Sequence, residues 1–388
     1  MDRMHAPDGD YTAAQILSFR RKLMSWYRSS ARVLPWREMR DPYRIWVSEI
    51  MLQQTRVAAV IVHYERFMSL FPTVLALALA PEAMVLAAWS GLGYYRRAHM
   101  LHKAARFLVD ERGGQLPGNS HDLRTLPGIG EYTCAAIASI AFGESIAVLD
   151  GNVERVLLRL AGRTEDPSAA GRVFLRAQAA ALVPNKRLSE QTNAAGDHNQ
   201  AMMELGATLC LIRAPLCMHC PVLDFCKTRG EHKTRPRGRQ KSKAAAFLLS
   251  TRKRGTSTEV LLERRGQALT LMPGMLELPP LPIDLLDNRE PLLRLRHSIT
   301  DTNYTIEVHA EKDSASEHAG DLLLRDAIPA AAEALVWQPV TKLAELPLTG
   351  LARKILMRAD LMAVTGPQSP ARNTARSRSL DQAGKIVR

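Results

Sequence analysis

Four cysteines, Cys210, Cys217, Cys220 and Cys226, form a C-x6-C-x2-C-x5-C run in a chain that has five cysteines in all. Four soft thiolates on so short a segment constrain it to a loop wrapped around a compact metal centre, either tetrahedral zinc or an iron–sulfur cubane. The spacing favours the cubane. Zinc sites usually bring two close ligand pairs together across a longer gap, whereas here one C-x2-C is flanked by two single ligands. Disulfides are the alternative, but they belong to oxidising compartments. Nothing else in the chain reads as secreted: residues 1–10 lack a basic stretch followed by an apolar one. No apolar run has the length of a membrane span. A reducing, intracellular compartment is expected, which again favours metal ligation.

At 388 residues the chain has room for two or three domains. Its charge is the unusual property: 52 Lys and Arg against 39 Asp and Glu leave +13. A surplus of that size argues for a polyanionic partner, nucleic acid or an acidic membrane surface, although a merely soluble basic protein has the same composition. Residues 1–11 read as a flexible N-terminus. Residues 12–226 read as helix after helix, with apolar residues at helical spacing in Tyr43–Phe67, Pro81–Trp89, Arg97–Asp110, Tyr132–Phe142, Val153–Ala161 and Asn199–Cys210. Residues 227–243 carry eight Lys or Arg and one Glu, the composition of a solvated linker that tracks phosphates. Beyond it the periodicity changes. Phe247–Thr251 and Glu259–Glu263 are short apolar runs that suit a hairpin, and Thr305–Ala310 is a further strand. Ala327–Leu335 and Gly350–Ala363 look helical. Residues 244–364 are therefore expected to form a smaller α+β domain, and residues 365–388 a disordered basic tail.

Leu126-Pro-Gly-Ile-Gly-Glu-Tyr-Thr133 precedes an apolar helix of small residues. Gly128 and Gly130 make a tight turn whose backbone N–H groups open the next helix, a site that takes a DNA phosphate without reading sequence. Asp150, in Leu149-Asp-Gly-Asn-Val153, stands where an Asp ordinarily caps a helix. A capping carboxylate is also rigidly placed, so the same residue can serve as a fixed negative charge. The neighbours of Glu49 three and four positions away are Ile45, Trp46, Leu52 and Gln53. A carboxyl held on that face is desolvated and suits a general acid, yet pattern alone favours an ordinary solvated helix Glu. Cys134 lies among small residues and reads as core packing.

In chain order, Leu34-Pro-Trp-Arg37, Trp46–Thr55, Gly91-Leu-Gly-Tyr-Tyr95, the Leu-Pro-Gly-Ile-Gly turn, Leu-Asp-Gly-Asn-Val and Asn199–Gly206 precede the cysteine loop. Together they resemble the adenine DNA glycosylases of the MutY family, within the helix–hairpin–helix glycosylases, over essentially the whole chain to Cys226. The resemblance implies a helical glycosylase fold whose four cysteines carry a 4Fe–4S cluster, followed by a Nudix-like domain. It implies removal of adenine mispaired with 8-oxoguanine or guanine in double-stranded DNA, by a monomer in the bacterial cytoplasm at the nucleoid. Glu49 would protonate the adenine and Asp150 would stabilise a positive sugar, with Tyr132 and Asn152 supporting them. Arg37 and Glu204 would line the adenine pocket, and Gln54 and Tyr94 would enter the base stack near the lesion. Without the resemblance, Tyr94 reads as a packed core aromatic. Related endonuclease III enzymes carry Lys where Tyr132 stands, and a phenol forms no Schiff base, so strand cleavage is not expected. Arg296–Asp301 aligns with the loop where relatives read the lesion with Phe-Ser-His; this chain has Ile299, Thr300 and Asp301. No Nudix hydrolase box is present. An endonuclease III-like glycosylase/lyase and a non-catalytic iron–sulfur DNA-binding protein are the alternatives.

Overall fold

The structure is a computed structural model that describes residues 11–185, 193–232, 240–266, 268–269, 271–286, 289–299, 301–312, 328–329 and 334–363. Residues 1–10 of the expected N-terminal segment, residues 233–239 of the basic linker, Thr300 and the whole tail 365–388 lie outside the described residues.

The helical region runs through α1 (Ala13–Ser30), α2 (Pro42–Leu52), α3 (Val57–Leu70), α4 (Val74–Leu79), α5 (Glu82–Trp89) and α6 (Arg96–Arg112). It continues through α7 (Ser120–Leu123), α8 (Glu131–Phe142), α9 (Gly151–Ala161), α10 (Ala169–Leu182) and α11 (Ala194–Thr208). Local chemistry sets the ends. Thr12 and Gln15 form a capping box on α1, and Asp41 caps α2 with Pro42 at its first position. The expected single helix Tyr43–Phe67 is two. Between α2 and α3 the chain turns through Gln54 at φ 56°, a break that apolar periodicity does not register.

These helices enclose two apolar cores. One gathers α2 to α6 and α8 around Trp46, Phe67, Trp89 and Ile137. The other joins α1, α9, α10 and α11 around Phe19, Leu23, Val156, Leu175 and Leu205. Met203 packs against both. Between α8 and α9 the chain is extended, and Asn199 of α11, 3% exposed, fixes it. Its Nδ2 donates to Ser139 Oγ (2.9 Å) and Ile146 O (2.8 Å), while its Oδ1 accepts from Val148 N (3.1 Å). α11 also lies hard on α9: a Cβ at Gly206 would stand 2.7 Å from Asn152 Cβ and 3.0 Å from Asn152 O.

The C-terminal domain contains β1 (Lys241–Arg254), β2 (Ser257–Arg264), β3 (Leu276–Glu277), β4 (Pro280–Leu281), β5 (Leu293–Ile299), β6 (Thr302–Lys312), β7 (Leu335–Pro339) and α12 (Gly350–Arg358). The main path of the sheet is β3-β2-β1-β6-β5; β4 pairs with β1 and β7 with β2. β1 and β2 form the antiparallel hairpin, while β1 and β6 run parallel from Lys241↔Thr302 to Thr251↔Lys312. β1 thus begins at Lys241, inside the segment expected to be linker, because backbone pairing to β6 makes no demand for apolar side chains there. Val260, Leu262, Ile306 and Val308 pack with Ile355 and Leu356 of α12. The expected helix Ala327–Leu335 falls largely outside the described residues, and Leu335 opens β7. The expected helix Gly350–Ala363 stops at Arg358.

The two domains share buried anchors. Met275 of the C-terminal domain is fully buried in the first helical core. Leu348 O accepts from Ser90 Oγ (2.8 Å) and Tyr95 OH (3.1 Å), and Arg353 Nε donates to Ser90 Oγ (3.1 Å). None of the described helices is long and apolar enough to cross a membrane.

Gly206→Ala forces the contact between α11 and α9 apart. The expected loss of about 1–3 kcal/mol is the usual range for overpacking, and it will show as a lower denaturant midpoint at unchanged slope.

Candidate active site

Glu49 lies on the inner flank of α2, where both cores meet, and is 5% exposed. The solvated reading of this residue is therefore wrong: α8 and α11 cover it, and helical spacing within α2 carries no record of that cover. Tyr132 OH donates to Glu49 Oε2 at 2.6 Å. Burial pushes the Glu49 carboxyl up to about 7; the Tyr132 hydrogen bond opposes this, the Asp150 charge adds to it, and Arg37 opposes it again. Burial and the two carboxylates also hold the Tyr132 phenol well above its ordinary value, so it remains a donor.

Asp150 is the N-cap of α9. Its Oδ1 accepts from Val153 N (2.7 Å) and its Oδ2 from Asn152 Nδ2 (3.1 Å). The capping expectation and the placement of a fixed carboxylate are both met, since the helix N-terminus and these donors complement negative charge. Arg155 Nη2 in turn donates to Asn152 Oδ1 (2.9 Å) and Gly206 O (2.7 Å), and its Nε to Cys210 O (2.8 Å).

Glu49, Tyr132, Asp150, Asn152, Arg37 and Glu204 line one cavity of about 170 Å³, the scale of a single heterocycle. Glu204 is 1% exposed. Arg37 Nη2 reaches its Oε2 at 2.9 Å, and Arg32 grips both oxygens through Nε (2.6 Å) and Nη2 (2.8 Å). Burial pushes Glu204 up, but the hydrogen bonds from Arg32 and the charge of Arg37 outweigh it and hold the carboxyl below its usual range. Arg32 is a functional residue that sequence reasoning misses. In a chain this basic, a lone Arg after a helix carries no mark of a buried partner 172 residues away.

Gln54 and Tyr94 lie apart from this cavity, at a larger one of about 1070 Å³ between the domains. Tyr94 is 50% exposed, which corrects its reading as a core aromatic; the packed ring is Tyr95, at 3%. Both Gln54 (φ 56°) and Tyr94 (φ 49°) adopt left-handed backbone, a conformation that turns side chains out of the helical core. Gly128 lines the same cavity. Its φ is 77°, and a Cβ at this position would stand only 2.5 Å from Met100 Cβ, so no side chain fits. Gly130 is the N-cap of α8 and supplies no capping side chain, so the first-turn N–H groups of α8 stay available to an anion. Ile299 lines the wall opposite Gln54 and Tyr94, whereas Asp301 does not: its exposed carboxylate lies 3.6 Å from Lys241 Nζ.

Cys210, Cys217, Cys220 and Cys226 are gathered beyond α11. Burial and the three neighbouring sulfurs push the Cys220 thiol up to about 11, so its thiolate form calls for a compensating cation. Arg159, 2% exposed, donates through Nη1 to Cys210 Sγ (3.2 Å), and Arg229 N points at Cys226 Sγ (3.4 Å). Among the described residues no three Cys, His, Asp or Glu side chains close on one point as ligands of a single ion. The donor set of soft sulfurs with hydrogen-bond donors aimed at them fits a cluster that binds each sulfur through a different iron. Cys134 is buried in the core, as expected.

Residues 47–175 match the family model described as HhH-GPD superfamily base excision DNA repair protein. The chain is similar to the adenine DNA glycosylase of Rattus norvegicus, 46% identical over 224 residues, which is 55% of this chain and 42% of the relative. It is similar to the adenine DNA glycosylase of Mycobacterium tuberculosis (strain ATCC 25618 / H37Rv), 40% identical over 208 residues, covering 53% of this chain and 66% of the relative. The match thus spans less than half of the mammalian relative's own length. Among solved structures, a thermostable thymine-DNA glycosylase aligns at 29% identity over 55% of this chain and 96% of its own, with a TM-score of 0.50.

The raised Glu49 value has a stability consequence of definite sign. The folded state holds the proton more tightly, so this contribution is full below the ordinary value of 4.5 and is lost as pH rises through about 7. Replacing Glu49 by Gln removes the penalty. The variant should gain about 2–3 kcal/mol on wild type between pH 5 and pH 8, read from denaturation midpoints at both values.

Proposed function

We propose that the chain belongs to the MutY family of helix–hairpin–helix DNA glycosylases and that it hydrolyses the N-glycosidic bond of adenine mispaired with 8-oxoguanine or guanine in double-stranded DNA. The observation that carries this reading is Glu49: a buried carboxyl poised near 7, bonded to a phenol and facing a second carboxylate across a base-sized cavity. The adenosine rotates out of the duplex into that cavity, because its glycosidic bond is inaccessible in the stack. Glu49 gives its proton to N7 of the adenine, the C1′–N9 bond breaks with its electron pair going to the base, and adenine leaves neutral. Asp150 faces the oxocarbenium-like sugar and stabilises its charge. Water then adds to C1′ and surrenders its proton to Glu49, which restores the acid. Tyr132 orients Glu49, Asn152 orients Asp150, and Glu204, pinned by Arg32 and Arg37, offers a fixed acceptor to the base.

Tyr132 has no amine with which to attack the sugar, which supports hydrolysis without strand cleavage. Gln54, Tyr94, Gly128 and Gly130 face the DNA around the flipped site, and the protein acts as a monomer. Ile299, Thr300 and Asp301 take the lesion-facing position of a Nudix-like domain. Asp301 supplies no donor there and its carboxylate is turned to Lys241, which predicts weak discrimination between 8-oxoguanine and guanine. Cys210, Cys217, Cys220 and Cys226 would hold a 4Fe–4S cluster, whose chemistry here is to tie the loop carrying Arg213 into a fixed shape beside the DNA backbone.

Single-turnover cleavage of an adenine:8-oxoguanine duplex tests the central reading. Wild type should release adenine with a rate that falls as pH rises past about 7, and Glu49→Gln should lose on the order of 10²-fold or more, the usual scale of a general acid. An inactive wild type, an undiminished variant, or a strong covalent adduct under borohydride would overturn it. On an adenine:guanine duplex the rate should lie close to that on adenine:8-oxoguanine. Cys217→Ser should lose visible cluster absorbance together with duplex affinity; normal DNA binding without a cluster would contradict the structural role given to that loop.

A further inference from the structure

Two loops flank the interdomain cavity, and each turns at a non-glycine residue in left-handed backbone: Gln54 after α2 and Tyr94 after α5. A side chain holds such a conformation only where its surroundings over-determine it. Here the surroundings converge on Arg97, in the first turn of α6. Its Nη1 donates to Ile50 O (2.8 Å), Met51 O (2.9 Å) and Gln53 O (2.5 Å). Its Nη2 donates to Thr55 Oγ1 (3.1 Å), Gly93 O (3.1 Å) and Leu92 O (3.4 Å). Four of these acceptors flank Gln54 and two precede Tyr94. The guanidinium carbon also lies 5.4 Å from the ring centres of Trp89 and Tyr94. Among the described residues no carboxylate shares the site; the two terminal nitrogens are met by the carbonyls ending α2 and by the two loops themselves, while Nε is buried without a partner.

We propose that Arg97 is a positioning residue that couples these loops, so that Gln54 and Tyr94 enter the stack of the strand opposite the excised adenine as one unit. The proposal rests on the glycosylase reading for its DNA half only. The planar fork is what the geometry demands: Nη1 holds the end of α2 while Nη2 bridges Thr55 of the first loop and Leu92 and Gly93 of the second, whereas a lysine ammonium is a single point with three donors.

Two experiments decide it. In wild type without DNA, hydrogen exchange at the amides of residues 54–55 and 94–95 should open as one cooperative unit, and Arg97→Lys should lower the protection of both segments together. Unrelated protection in the two loops of wild type, or loss confined to one of them in the variant, overturns the coupling, and the wild-type measurement stands even where the variant does not fold. On DNA, Arg97→Lys should cut the preference for a mispaired over a fully paired duplex by about tenfold, the scale of one base–aromatic stack. In a Gln54→Ala/Tyr94→Ala background the same change should then cost less than about twofold. An additive loss there makes Arg97 a general structural residue and overturns its action through Gln54 and Tyr94. A wild type without preference for any mispair sinks the glycosylase reading and the DNA half of this proposal, while the exchange result still judges the clamp.

Discussion

One buried amide sets the geometry on which the rest of the site depends. Asn199 sits on α11, reaches into α8 through Ser139, and uses its remaining donor and acceptor to fix the extended chain at Ile146 and Val148. That chain ends at Asp150. A side-chain amide has fixed donors and acceptors on a rigid plane, and three of its bonds here are made in the interior, where an unmade bond is costly. The residue therefore does for the loop what a strand pairing does elsewhere: it sets where the next helix begins, and with it where the capping carboxylate points. Asn193 repeats the device one helical stretch earlier, donating to Ile140 O (2.6 Å).

Around that framework the charges are arranged by contrast. Three acidic side chains share one small cavity, and each has a different environment. Glu49 meets a phenol and little else, so burial dominates and its proton is kept to about neutral pH. Glu204 meets two guanidinium groups and remains a carboxylate despite deeper burial. Asp150 meets a helix N-terminus and an amide. In the proposed reaction, the division of labour among acid, acceptor and charge stabiliser follows from partners rather than from residue type.

The legible parts of this chain are those where chemistry demands an uncommon residue pattern at short range. Four sulfurs in one loop, a Leu-Pro-Gly-Ile-Gly turn and an Asp before a helix stand out locally, and the last is the N-cap of α9. Glu49 misleads on pattern alone because its cover comes from helices distant in sequence, and periodicity within α2 says nothing of them. Arg32, Arg97, Arg155 and Arg159 are silent for a related reason. In a chain with so many cations, a guanidinium that binds a buried carboxylate or buried carbonyls looks the same as one that faces solvent. Strand β1 extends past its apolar run into a charged start, where the pairing is carried by backbone atoms. Tyr94 and Tyr95 are adjacent identical residues with opposite fates, and only the left-handed turn at the first separates them.

Met275 and Leu348 attach the C-terminal domain to the helices, whereas Ile299 ends β5 and Asp301 directly precedes β6. What holds the domain in place and what it presents at its rim are thus separate sets of residues. The rim can drift in sequence while the attachment stays under strict packing constraint, since a change at Met275 opens a hole in the helical core and a change at Ile299 does not. A fold built this way can change what its rim presents without reassembling its parts, because the second domain stays docked.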